Sequence, residues 1–225
     1  MTALILLLSF IPGFIWLFFF LEEDNRPEPK SLLALVFLVG ALNALIIAYF
    51  GVTVKAAFFP LEGIETFSLS YLAVAAFLEE LGKFLIIYFL VRRWSTFDEP
   101  VDAMIYMIVG ALGFATLENI AYLSQEAAVN PFVGSVVEIA SLRFVGSTLL
   151  HALCSGLLGY FWALSIRRFG EKYWIVIGLI LATALHTYFN YLIINYVSIA
   201  YITALLLFAG FFVLNDFEEL KWRSV

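Results

Sequence analysis

Seven apolar runs divide the chain, at roughly Thr2–Leu21, Ser31–Phe50, Ser68–Val91, Val101–Tyr122, Phe144–Ile166, Trp174–Ile194 and Val197–Leu214. Each is near the ~20 residues that a helix needs to cross a hydrocarbon core of roughly 30 Å. The two-residue alternation of a membrane β-barrel is missing, so the runs predict helices. Polar connections separate them: Glu22 to Lys30 is acidic with Pro27 and Pro29, Arg92 to Glu99 is charged, and Arg167 to Lys172 is basic with Gly170. The stretch from Tyr173 to Leu214 is almost unbroken, and only Asn195, Tyr196 and its length argue for a turn inside it. The expected architecture is an all-α, polytopic transmembrane helical bundle of about seven spans, forming one domain over residues 1–225.

Composition agrees. Of 225 residues 64% are apolar and 13% charged, with a mean hydropathy of +1.00, whereas soluble chains carry about a quarter charged residues. The N-terminal run lacks a basic start and a small-residue cleavage site, so it is read as the first span and not as a secretion signal. Cys154, the single cysteine, lies in an apolar run and is assigned to packing. No long basic stretch suggests nucleic acid as a partner. Basic residues place the N-terminus outside and the C-terminus in the cytoplasm. Arg26, Lys30, Arg92, Arg93, Arg167, Arg168, Lys172, Lys221 and Arg223 share one side, against Lys55 and Arg143 on the other. The expected location is a cell membrane.

Several polar residues lie where lipid should exclude them. The third run contains Glu79-Glu80-Leu81-Gly82-Lys83, the fourth Glu118, and the fifth and sixth the only two histidines, His151 and His186. A central charge costs about 2.5–3.5 kcal/mol on insertion scales, so Glu79, Glu80, Lys83 and Glu118 left unpaired would cost on the order of 10 kcal/mol. Such residues are functional by default, although polar groups also serve as glue between helices. Helical spacing pairs Glu79 with Lys83, Glu118 with Tyr122, His151 with Ser155 and His186 with Asn190. Glu79 and Glu80 point about 100° apart and cannot share a role. Counted from each helix's cytoplasmic end, Glu79, Glu80, Glu118, His151, His186 and Asn190 all fall roughly 18–25 Å deep, one layer in the outer half of the bilayer. Asn119 reads as structural, Arg143 as an interface anchor or ion-pair partner, and Glu22-Glu23-Asp24 as a solvated loop. Trp16, Trp94, Trp162, Trp174 and Trp222 read as an aromatic belt.

A glutamate, two histidines and an asparagine at one depth suffice for amide hydrolysis: a carboxylate takes a proton from water while imidazole and amide donors stabilise the oxyanion. The same groups permit a metal mechanism, with His151, His186 and one of Glu79, Glu80 and Glu118 holding a divalent ion such as Zn and another glutamate acting as base. No cofactor is expected in the first mechanism. The H-E-x-x-H motif of the commonest zinc peptidases is absent from the sequence. Buried Glu, Lys and His also suit a proton-coupled transporter or a non-catalytic membrane scaffold.

In order along the chain stand Pro12, Pro27-Glu28-Pro29, Glu79-Glu80-x-x-Lys83, Phe114-x-x-x-Glu118-Asn119-x-x-Tyr122, Arg143, His151 and His186-x-x-x-Asn190. This succession resembles the PrsW family of membrane proteases, related to the CAAX prenyl protease and bacteriocin-processing peptidases. The resemblance implies an intramembrane endopeptidase that makes the first, extracytoplasmic-side cut in membrane-anchored anti-sigma factors. It implies Glu79 as the water-activating base beside Glu80, His151 as its assistant, and His186 and Asn190 as oxyanion holders. Glu118 matches the second acidic motif. The implied partners are a membrane-anchored protein or peptide substrate and the lipid bilayer.

Overall fold

The computed structural model describes residues 1–59, 68–167 and 171–222. Arg168, Gly170 and Arg223 lie outside the described residues. All elements within them are helical: α1 (Thr2–Leu21), α2 (Lys30–Phe58), α3 (Leu69–Val91), α4 (Asp102–Val129), α5 (Val133–Arg143), a π-helical turn (Phe144–Thr148), α6 (Leu149–Arg167), α7 (Tyr173–Ile194) and α8 (Ile199–Trp222). Because α5, the π turn and α6 run on without a break, these segments make seven continuous helices. Six of them are long and apolar enough to cross a bilayer. The remaining one, α3, has the length but carries Glu79, Glu80 and Lys83 together, so its passage depends on partners from its neighbours.

Four predicted boundaries move by more than a few residues. The fifth helix begins at Val133, not Phe144, and spans 35 residues through Arg167, because hydropathy finds the lipid-soluble part of a helix and not its polar extension. α2 continues to Phe58, α4 to Val129 and α8 to Trp222, each past the ~20 residues that a span requires. The turn expected near Asn195 and Tyr196 is present: α7 ends at Ile194, α8 starts at Ile199, and Tyr196 adopts a φ of 52° between them.

The centre of the bundle is α4, where every residue from Asp102 to Thr116 is buried. It packs against α2, α6 and α1. Contact with α2 is backbone to backbone. A Cβ placed on Gly40 would come within 2.0 Å of the Gly110 carbonyl oxygen, and one on Gly113 within 2.0 Å of the Phe37 carbonyl oxygen. Only glycine allows this approach, as is usual where membrane helices lack a hydrophobic driving force between them.

One end of the bundle gathers the connections. Arg26 pairs with Glu99 at 2.6 Å, Lys221 with Glu23 at 2.6 Å, and Arg167 Nη2 donates to the Leu220 carbonyl at 2.7 Å. The acidic loop is therefore less solvated than expected, since Asp24 is buried and its backbone neighbour Arg26 donates to Asp24 Oδ1. Glu28 is also buried and accepts a hydrogen bond from Tyr106, and burial pushes its carboxyl above the ordinary carboxylate range. The aromatic-belt expectation fails at Trp162, which is buried against Phe84, Tyr88 and Phe97. Trp16 is half-buried and donates its indole N–H to the Phe144 carbonyl in the π turn.

Candidate active site

Four helices and one helix end bring the predicted polar residues together. From α3, Glu80 and Lys83 turn into the bundle and are fully buried, while Glu79, about 100° round the helix, keeps 20% of its side chain exposed. Lys83 pairs with Glu80, its Nζ donating to Oε1 at 2.6 Å, and not with Glu79 as the four-residue spacing suggested. Spacings of three and four residues are both open to a helical pair, and here the inward direction of Glu80 decides between them.

The hydrogen bonds fix which ring nitrogen of each histidine meets which partner. An ammonium only donates, so Lys83 Nζ, 3.0 Å from His151 Nδ1, donates to it. The ring proton of His151 is then on Nε2, which donates to Glu118 Oε2 at 3.1 Å. His186 does the opposite. Its Nδ1–H donates to Glu80 Oε1 at 2.7 Å, and its Nε2 faces Glu79 Oε2 at 3.7 Å, presenting a lone pair when the ring is neutral. The two rings meet edge to face with centroids 5.1 Å apart.

Glu118, on α4, is committed on both sides: its Oε2 also accepts from Arg143 Nη2 at 2.8 Å. Arg143 is thus the ion-pair partner that one of its two readings allowed. Its Nε donates to Asn119 Oδ1 at 2.6 Å, Asn119 Nδ2 donates to Thr148 Oγ1 at 3.0 Å, and the guanidinium lies 4.1 Å from the Tyr122 ring centroid. Asn119 and Thr148 therefore brace the π turn that delivers α6 and His151, the structural role expected of Asn119. Of the other predicted neighbours, Ser155 is buried with an unpartnered Oγ. Asn190 is half-buried one turn beyond His186, with no hydrogen bond among the described residues.

Sequence reasoning underused Lys83, which it treated as a partner of Glu79, and did not single out Thr148. The signal for Lys83 was its three-residue distance from Glu80. Thr148, contributed by the π turn, has no counterpart in regular helical spacing.

One carboxylate stands apart from this web. Glu79 Oε2 and Glu80 Oε2 are both buried without a hydrogen-bond partner, but Glu80 accepts twice through Oε1 whereas Glu79 accepts no hydrogen bond among the described residues, and the partial exposure of Glu79 and Glu118 places them where the cluster meets its surroundings. Ligand atoms of Glu79, His151 and His186 all lie within 4.8 Å of one another. Two imidazoles and a carboxylate are a donor set suited to zinc, and the unpartnered Glu79 oxygen gives it a free ligand atom, so these residues fit a divalent ion once His151 exchanges its bond to Lys83 or Glu118 for the ion. A second group within the same distance, Glu80, Cys154 and His186, includes Lys83's own counter-ion and is the poorer fit.

Residues 28–215 match the family model described as PrsW family intramembrane metalloprotease. The protease PrsW of Geobacillus kaustophilus is 31% identical over 182 residues, covering 79% of this chain and 73% of its own. The protease PrsW of Bacillus subtilis is 28% identical over 180 residues, covering 78% and 76%. No solved structure matches the chain.

Proposed function

The chain belongs to the PrsW family of intramembrane metalloproteases, and on that premise we propose that it cuts membrane-anchored regulatory proteins such as anti-sigma factors, with Glu79 activating the attacking water. Membership makes it a protease and a multi-pass protein of the cell membrane, and displaces the transporter and scaffold readings. The observation that carries the proposal is the uncommitted Glu79 Oε2 facing His186 Nε2 at 3.7 Å, the ring being taken as neutral. That separation exceeds a direct hydrogen bond and suits a water between the two acceptors. Glu80 and Glu118 are already bound by Lys83, Arg143 and the histidines, which leaves Glu79 the freest of the three to accept a proton.

In this mechanism Glu79 takes one proton from the water as its oxygen attacks the scissile carbonyl carbon, and returns it to the leaving amide nitrogen. His186 orients the water through Nε2. The amide of Asn190 makes no side-chain hydrogen bond among the described residues and is the donor free for the oxyanion, whereas the Nε2–H of His151 is held by Glu118 Oε2 and reaches the oxyanion only by giving up that bond. Lys83 and Glu80 position the rings. Counted along α3, α4 and α7, the site lies nearer the end opposite Arg26, Arg92 and Lys221, which supports a cut on the extracytoplasmic side with the N-terminus outside and the C-terminus in the cytoplasm.

A second reading is favoured by the donor set of Glu79, His151 and His186. Those three residues would hold a divalent ion, which supplies a water acidified toward neutral pH and polarises the carbonyl. Glu118, the other partly exposed carboxylate, would then be the base.

The test is cleavage of a panel of single-span membrane proteins by purified protein in detergent. Glu79→Gln is expected to lower the rate by about 10²–10⁴-fold, the usual contribution of a general base. Activity that survives a strong chelator supports glutamate-activated water, and loss restored by added zinc supports the metal reading. Full activity in Glu79→Gln would remove Glu79 from both.

A further inference from the structure

Far from the carboxylates, at the end where the connections gather, a cavity of about 460 Å³ opens between the end of α3, the following connection and the last turns of α6. Its lining is Tyr88, Arg92, Arg93, Phe97, Trp162 and Ile166. The aromatic wall is rigid. Phe97 stacks on Trp162 with centroids 4.9 Å apart, and Tyr88 lies 5.4 Å from the same ring. Arg92 is held over this wall, its guanidinium 5.1 Å from the Tyr88 centroid and 4.8 Å from that of Phe89.

Two features define what fits. Arg92 and Arg93 are exposed and make no ion pair among the described residues, unlike Arg26 and Lys221 at the same end, which are neutralised by Glu99 and by Glu23. The cavity therefore presents about two uncompensated positive charges, one of them pre-oriented by ring contacts. Beside it, Phe89 on α3 and Ile166 on α6 expose apolar surface, and α6 belongs to a helix long and apolar enough to cross a bilayer. A ligand complementary to both must join an anionic head to an apolar tail. A free phosphate would satisfy the arginines alone.

We infer that this cavity binds an anionic phospholipid, its phosphate between Arg92 and Arg93 and an acyl chain against Phe89 and Ile166. Arginine forks suit phosphate oxygens, and basic pockets between spans are a known mode of lipid recognition. The inference rests on the membrane-spanning fold and not on the proposed chemistry. Loss of peptidase activity leaves it untouched.

Native mass spectrometry of the full chain in a mild detergent, titrated with phosphatidylglycerol and separately with phosphatidylcholine, tests it. Phosphatidylglycerol is expected to bind preferentially, and Arg92→Gln/Arg93→Gln to weaken that binding roughly thirtyfold, at about a tenfold factor per 1.4 kcal/mol for two surface arginines. Arg92→Lys/Arg93→Lys, which keeps the charge, should retain most of the preference. Lys172→Gln, a basic residue of the same end outside the cavity, should change it less than twofold. Equal weakening in Lys172→Gln would mean diffuse surface attraction and overturn the site. So would unchanged phosphatidylglycerol binding in the double glutamine variant, or displacement of the lipid by millimolar inorganic phosphate.

Discussion

Lys83 brings three donors and no acceptor into a fully buried position, and two of them are used on Glu80 Oε1 and His151 Nδ1. The same Glu80 oxygen receives the His186 proton, so one carboxylate oxygen fixes both a cation and an imidazole. Taking the lysine away strands a buried charge, which costs about 3–5 kcal/mol, whereas replacing both members of such a pair is often close to neutral. Lys83→Met is accordingly expected to lower unfolding stability by that amount, and Glu80→Gln/Lys83→Met to recover most of it while cleavage stays low because the rings lose their orientation. Chemical unfolding in detergent and substrate cleavage measure the two halves; a double variant no more stable than Lys83→Met would show that the pair is not the unit. At this scale the sequence was legible in kind but not in pairing. Its ionisable residues announced a site by their cost in lipid, yet which glutamate turned inward depended on neighbouring helices that spacing along α3 does not describe.

At the scale of elements, the crossing of α2 and α4 is set by Gly40 and Gly113, each opposed by a carbonyl oxygen of the other helix at 2.0 Å from an added Cβ. Backbone cannot give way as a flexible side chain can. Gly113→Ala is expected to force the helices apart and cost about 1–3 kcal/mol, as overpacking usually does. Gly51, also on α2, meets nothing within 4 Å, so Gly51→Ala should be neutral or stabilise by up to about 1 kcal/mol through helix propensity. Thermal midpoints of the two variants compare them directly, and similar losses would mean that the close approach is not the cause. The helices themselves were readable because each apolar run must reach across the bilayer, a constraint of length. The extension α5 was not readable because it lies before the apolar run, and the π turn was not because it sits inside that run and hydropathy does not register a change of helical pitch.

For the whole molecule, the ion pairs Arg26–Glu99 and Lys221–Glu23 place the connection after α1, the connection after α3 and the end of α8 together, as the count of basic residues anticipated. Which side of the membrane that end occupies is open to direct labelling. Cys154 is buried, so a new surface cysteine is the accessible thiol among the described residues. With the proposed orientation, an impermeant maleimide added to intact cells should label Tyr196→Cys, at a 96% exposed position, and spare Asn25→Cys until the cells are opened. The reverse pattern would invert the topology and place the cut in the cytoplasmic half. The position of α4 carries a different consequence, for how such a sequence drifts. The outer helices α1 and α8 show much of their surface to lipid, where one apolar side chain serves nearly as well as another. From Asp102 to Thr116, α4 has no such face. Substitution there is limited by volume and not by hydrophobicity, so lineages descended from this chain should diverge first around its rim and last along its axis.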